Sequence, residues 1–240
     1  MTLTVGSLFS GIGGLDLGLE RAGMNVIWQS EIDPYACKVL AKHWPEVPNH
    51  GNIKEIDWRR VVRPDVICGG YPCQPFSTAG KRRGTDDPRH LWPWVREAIS
   101  QLRPRYAILE NVRGHLSLGG TTVIGELAAI GYDAEWRVIS AASVGGLHQR
   151  ARIIIVAYPQ VLNVEESKMV AQAIRTSLLQ PRRIRGACVP SPNWPLYEPR
   201  MDRVVNGVSD WVDRVRGLGN AVVPQVAEVI GRLVMAHAHN

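Results

Sequence analysis

Cys73, Glu110 and Glu31 each stand at the end of an apolar, β-branched run, where a folded chain could put them to chemical use. Cys73 lies between Pro72 and Gln74 in GGYPCQPFSTAG, on a stiff turn directly after DVICGG. The next such run, ILENV, brings Glu110 and Asn111 to the same edge of a sheet. A thiolate is a nucleophile and a carboxyl can give or take a proton, so Cys73 beside Glu110 would make a catalytic pair. Each residue alone has a plainer reading. Most cysteines are packing residues, and a single glutamate can simply cap or bond a neighbouring loop.

A second group lies near the start. LFSGIGGLDLGLERAG runs a strand into Gly11, Gly13 and Gly14 and then directly into a helix, so a ligand could approach the backbone and the helix N-terminus closely. The motif is not a strict GxGxxG, and a tight strand-to-helix turn would need small residues anyway. Glu31 follows Gly11 by 20 residues, at the end of the second strand. An acidic side chain there accepts bonds from ribose hydroxyls in nucleotide-binding α/β folds. Asp33, directly before Pro34, is the better helix cap, which leaves Glu31 free for a ribose.

The elements that must position these groups alternate. LTVGSLF reads as a strand, 14–22 as a helix and NVIWQSEI as a strand. A helix over about 34–44, a strand at DVICGG, a helix over about 91–102 and a strand at YAILENV follow. Then come a helix near 123–129 and strands at EWRVISA and RIIIVA. Apolar strands alternating with helices predict an α/β fold, with a mostly parallel sheet, helices on both faces, and every motif at a strand's carboxyl end. The period weakens after Tyr158, which puts a boundary near Pro159, and a helix returns over 222–234.

Composition narrows the class. With 45% hydrophobic and 21% charged residues, the chain is neither disordered nor fibrous. Its N-terminus lacks the pattern of a signal peptide and no run approaches a membrane span, so a cytoplasmic protein without membrane contact is expected. Cys37, Cys68, Cys73 and Cys188 form no CxxC pair, which argues against a disulfide scaffold or a metal site. The formal charge is +6, and 168–216 alone holds nine Lys or Arg against four Asp or Glu. A surplus concentrated in this way is what a nucleic-acid footprint would leave.

Taken in order, FSGIGG with its following Glu, GGYPCQPFS, ENV, QRARIIIV and GLGNAVVP resemble the motifs of the cytosine-5 DNA methyltransferase family. The similarity covers about 3–157 and 214–234. It implies a Rossmann-like domain over 1–158 that binds S-adenosylmethionine. A short target-recognition segment over 159–213 would follow, and 214–240 would return to the catalytic domain. By resemblance, Cys73 adds to cytosine C6 while Glu110 holds the N3 edge, and Arg150 and Arg152 match the family's RxR pair. His148 stands where many members carry Gln.

The same resemblance assigns the cofactor to Phe9, Gly11, Gly13, Glu31, Ile32, Pro72 and Asn220. It adds Asn52 and Ile53, with Asn52 where the family often has an acidic residue. The loop 77–90, with Lys81, Arg82, Arg83 and Arg89, would close over duplex DNA around the extruded base. Arg182, Arg183, Arg185 and Trp194 are candidate DNA contacts, although an exposed basic loop would look the same. The expected protein is a monomer, from a phage or restriction-modification setting. Three alternatives stand beside it: a tRNA cytosine-5 methyltransferase, an inactive DNA-binding relative, and a chain needing a separate recognition subunit.

Overall fold

The structure is a computed structural model, and it describes residues 2–72, 91–115, 119–146, 149–160, 217 and 219–238. Cys73, the loop 77–90, His148 and the basic segment 168–216 lie outside the described residues. The chain alternates as its periodicity predicts: β1 (Thr4–Leu8), α1 (Gly14–Arg21), β2 (Asn25–Ser30), α2 (Pro34–His43), β3 (Val66–Gly70) and α3 (Trp92–Leu102). It continues through β4 (Tyr106–Val112), α4 (Thr121–Ala129), β5 (Tyr132–Ser140), β6 (Ala151–Pro159) and α5 (Pro224–Ala238). Three short 3-10 turns among the described residues, Ile53–Glu55, Trp58–Arg60 and Ala141–Val144, carry too few residues to show a period and were not expected from the sequence.

The six strands are ordered β2-β1-β3-β4-β6-β5. β1 pairs in parallel with β2 and β3, and β3 in parallel with β4, whereas β6 runs antiparallel to both β4 and β5. The sheet is therefore mostly parallel with one reversed strand. The connection from β5 to β6, residues 141–150, is shorter than the dozen or so residues a parallel crossover needs, so β6 must turn back. This corrects one expectation. Arg150 and Arg152 stand at the amino start of a strand, and they reach the common edge because β6 enters there, with Val112 opposite Arg152 and Ser140 opposite Ala151.

Side-chain alternation divides the core between the two faces. Val5, Val66, Cys68, Ile108 and Ile154 pack with Leu15 and Leu19 of α1 and with Ala227 and Ile230 of α5. Ile67, Ala107, Leu109, Ile153 and Ile155 join Val95 and Ile99 of α3 and Val123 and Leu127 of α4 on the other face. Burying a side chain such as Leu19 or Ile230 contributes about 1.5–3 kcal/mol. α5 thus closes the face begun by α1, about two hundred residues earlier in the chain. Among the described residues no helix is long and apolar enough to cross a membrane.

Candidate active site

The turn after β1 holds an unusual backbone. Phe9 (φ 51°), Gly11 (φ 55°) and Gly13 (φ 83°) all lie in the left-handed region, which a residue with a Cβ such as Phe9 occupies only when its surroundings enforce it. Two bonds close the turn: Gly13 N donates to Ser10 O at 2.9 Å, and Ser10 N to Ser30 O at 3.3 Å. No side chain caps α1, whose buried first residues follow directly on this turn, with the Val222 backbone packed against Gly14.

Asp33 caps α2 as expected, accepting from Ala36 N at 2.9 Å with Pro34 at the first position. Glu31, however, is not left idle. Its Oε2 accepts from Gly11 N at 2.7 Å and its Oε1 from Ile32 N and Asp33 N, each at 2.8 Å. The carboxylate therefore ties the glycine turn to the end of β2. Two oxygens offer about four acceptor positions, so one remains for a hydroxyl. Asn49 holds the Glu31 backbone from both sides: its Oδ1 accepts from Glu31 N at 3.0 Å and its Nδ2 donates to Glu31 O at 3.1 Å.

The remaining cofactor candidates are spread around this turn. Ile32 is 67% exposed beside Glu31, and Phe9 and Pro72 are partly buried. Asn52 caps the Ile53–Glu55 turn by accepting from Lys54 N at 3.2 Å, while its amide donates to Glu55 Oε1 at 2.8 Å. The Ile53 side chain is buried in the core beside α3. Asn220 is exposed on a segment that passes the turn, since a Cβ on Gly14 would run into Val222 O.

At the carboxyl edge, Glu110 follows Ile108 by two residues and so shares the α1/α5 face with Arg152. Arg152 Nε lies 2.9 Å from Glu110 Oε1, but its N–H is not aimed at that oxygen. Glu110 Oε1 and Arg150 Nε are both buried without a hydrogen-bond partner. Burial pushes the Glu110 carboxyl above its usual range, and the positive charges of Arg152 and Arg150 only partly offset this. Arg150 is pulled down by burial and by the like charge of Arg152, and it donates to Gly219 O. A buried acid and a buried donor with unmade bonds are groups that a polar ligand would satisfy.

Gly70 lies opposite Glu110 in the β3–β4 register, and a Cβ there would come within 3.0 Å of Glu110 Oε2. Asn111 points to the other face, where its Nδ2 donates to Tyr71 O at 3.2 Å, and Tyr71 OH meets buried His115 at 2.8 Å. Burial holds His115 down to about 4, so its ring is neutral at physiological pH. These contacts fix the residues that lead to Pro72 and Cys73.

The structure thus brings Glu110, Arg150 and Arg152 together, and sets Phe9, Gly11, Gly13, Glu31 and Ile32 in a second cluster on the same edge. Sequence reasoning missed Asn49, Gly70 and a buried acid, Asp16. Only Asp16 left a signal, because it sits between Leu15 and Leu19 on the apolar stripe of α1.

The architecture is the Rossmann-like fold of methyltransferases. Residues 3–186 match the C-5 cytosine-specific DNA methylase family, and the chain belongs to that family. It is 40% identical over 164 residues to the Type II methyltransferase M.Eco47II of Escherichia coli, covering 64% of this chain and 39% of the relative. It is 34% identical over 165 residues to M.HgiCII of Herpetosiphon aurantiacus, covering 66% and 38%. The chain therefore spans about two fifths of the length of these curated relatives. A mutant of Spodoptera frugiperda DNMT2 shares the fold, with a TM-score of 0.58 and 24% identity over 68% of this chain and 51% of that one.

Proposed function

We propose that the chain transfers a methyl group from S-adenosylmethionine to C5 of cytosine in double-stranded DNA. The observation that carries this is the buried Glu110 carboxyl, raised by burial, ion-paired to Arg152 at 2.9 Å and within the field of Arg150 at the edge of the sheet. Cytosine C5 is a weak nucleophile until the ring is activated. The Cys73 thiolate would add to C6, forming an S–C6 bond, while Glu110 donates a proton to N3 and leaves electron density at C5. Bound S-adenosylmethionine supplies an electrophilic methyl group. A base then takes the C5 proton, the S–C6 bond breaks to free the thiolate, and N3 returns its proton to Glu110.

The residues fit these roles. The glycine turn before α1 would let the cofactor approach closely, the Glu31 carboxylate that ties that turn to β2 would use its remaining acceptor position for a ribose hydroxyl, and exposed Ile32 would offer an apolar wall. Arg150 and Arg152 would hold the base and favour the thiolate. The base must leave the duplex, at a cost of about a few kcal/mol. The basic residues of 77–90 and 168–216 would offset that cost through phosphate contacts. Such a protein would work in the cytoplasm.

The test is transfer of labelled methyl to unmethylated duplex DNA and to tRNA. Label in DNA alone is expected. Label in tRNA alone, or in neither, overturns the DNA reading and points to an RNA substrate, a missing recognition subunit or a binding role. A duplex carrying 5-fluorocytosine should trap the chain covalently, because fluorine cannot leave C5 as a proton does.

Gly70→Ala probes the same site. Its Cβ would meet the far end of a side chain and no backbone, so the variant should fold with a displaced Glu110. Transfer is expected to fall by about 10–100-fold, as misplaced catalytic groups commonly cost, with the melting temperature little changed. An unchanged rate would show that Glu110 does not act from this position.

A further inference from the structure

Beneath the glycine turn lies a polar chain that the proposed chemistry does not use. Asp16, on α1, is fully buried within an otherwise apolar cluster. Its Oδ2 accepts from Ser7 Oγ at 2.9 Å and its Oδ1 from Gln29 Nε2 at 2.8 Å. Ser10 Oγ in turn donates to Ser7 Oγ at 2.9 Å. An ionised carboxylate can only accept, so it forces Ser7 and Gln29 to be donors and turns a lone pair of Ser7 toward Ser10. Ser10 Oγ also lies 3.2 Å from the Ser7 carbonyl oxygen, so both of its acceptors belong to Ser7, the residue the carboxylate orients.

This polarity ends on the residue that shapes the turn. Ser10 sits between the left-handed Phe9 and Gly11, and its backbone bonds both Gly13 and Ser30. Gln29 reaches the other half of the cofactor cluster. Its N–H donates to Pro48 O and its carbonyl accepts from His50 N, which holds the segment carrying Asn49, the clamp on Glu31. The carboxylate therefore links both halves through one buried point.

Resting on the cofactor assignment above, we infer that Asp16 is a positioning residue: through Ser7, Ser10 and Gln29 it holds the Phe9–Gly13 turn and the Asn49–Glu31 clamp in the form that receives the cofactor. Holding a charge there costs stability. Desolvation raises the Asp16 carboxyl to about 6, against the bonds from Gln29 and Ser7 and with a smaller push from Glu20. Cys68, its other titratable neighbour, is buried and pushed well up, so it is neutral. The native state keeps a proton that an unfolded carboxyl, at 3.8, has released. Stability is thus greatest below that window and falls as pH rises toward about 6. Above it the charge serves position at the expense of stability.

Asp16→Asn separates the two. With the amide oxygen still accepting from Gln29, the amide nitrogen faces Ser7 as a donor, so the Ser7 bond is reversed and its hydroxyl hydrogen is no longer held on residue 16, while the buried charge disappears. At pH 7 in the full chain the variant is expected to melt no lower than wild type. The Gly11 and Gly13 amide protons should exchange faster, with those of β3 and β4 unchanged. Affinity for S-adenosylhomocysteine, measured by calorimetry, should fall about tenfold or more, as loss of a hydrogen bond to a charged group predicts. Ser10→Ala, which leaves Asp16 with both its partners, should loosen the same two amides.

Wild-type exchange and affinity in both variants would overturn the inference. So would a uniform loss of stability in Asp16→Asn with Ser10→Ala silent, which marks a purely structural carboxylate. If wild type itself does not bind S-adenosylhomocysteine, the cofactor assignment fails, and amide exchange still decides whether Asp16 holds the turn.

Discussion

Serine in place of Cys73 is expected to leave methyl transfer at background, whereas Glu110→Gln should keep a residual rate about 10²–10⁴-fold below wild type, the usual span of general acid catalysis. The two losses differ in kind. A serine hydroxyl stays protonated at neutral pH, so the C6 bond does not form and the 5-fluorocytosine duplex is not trapped. A glutamine still reaches the N3 edge with a hydrogen bond but has no proton to give, so slow trapping should persist.

The pH profile separates the roles further. The thiolate requirement makes kcat/KM rise with pH. Because burial raises the Glu110 carboxyl and the reaction uses its protonated form, the rate should decline again as pH rises through that raised value. Glu110→Gln removes only this descending limb. A profile unchanged by Glu110→Gln would exclude Glu110 as the proton donor.

The second large effect concerns stability and falls on Gly18. This residue lies in α1 where α5 crosses it, and a Cβ would overlap Ala227 Cβ and the Pro224 carbonyl and press on Glu228 N. Two of these three contacts are backbone, which cannot swing away, so the helices would have to separate. Gly18→Val is expected to cost about 1–3 kcal/mol, the range for overpacked sites. For a chain of this size that lowers the melting temperature by roughly 2–4 °C per kcal/mol. Gly125 supplies the contrast, because it lies in α4 with nothing within 4 Å of its Cβ position. Gly125→Ala should raise stability by about 0.5–1 kcal/mol, since alanine relieves the entropic cost of glycine in a helix. Thermal melting of both variants reads the opposite signs directly; equal shifts would mean that α5 does not press on α1 at Gly18.

Much was legible before any coordinates. Strand and helix periods are local, so β1 to β6 and α1 to α5 fall within a few residues of where the sequence puts them. The ordered motifs carried the family, because a nucleophile, an acid and a glycine turn each need particular residue types at particular strand ends. Even the cap at Asp33 was readable, from one proline.

What the sequence alone did not decide was direction and environment. It determined that Arg150 and Arg152 begin a strand. Only the reversed pairing of β6 brings them to Glu110, and the short 141–150 connection was the one local hint of it. It offered Glu31 to a ribose, but the folded chain also spends that carboxylate on three backbone amides. Asn49 and Gly70 carry no local signal, because their importance comes from the Glu31 backbone and the Glu110 carboxyl, and Asp16 shows in the sequence only as an acid on an apolar stripe, its bonds to Ser7 and Gln29 being set by the fold. Local propensity acts over a few residues and can be read in order along the chain. Burial, electrostatic shifts and bonds between strands depend on which segments meet, and only the tertiary structure decides that.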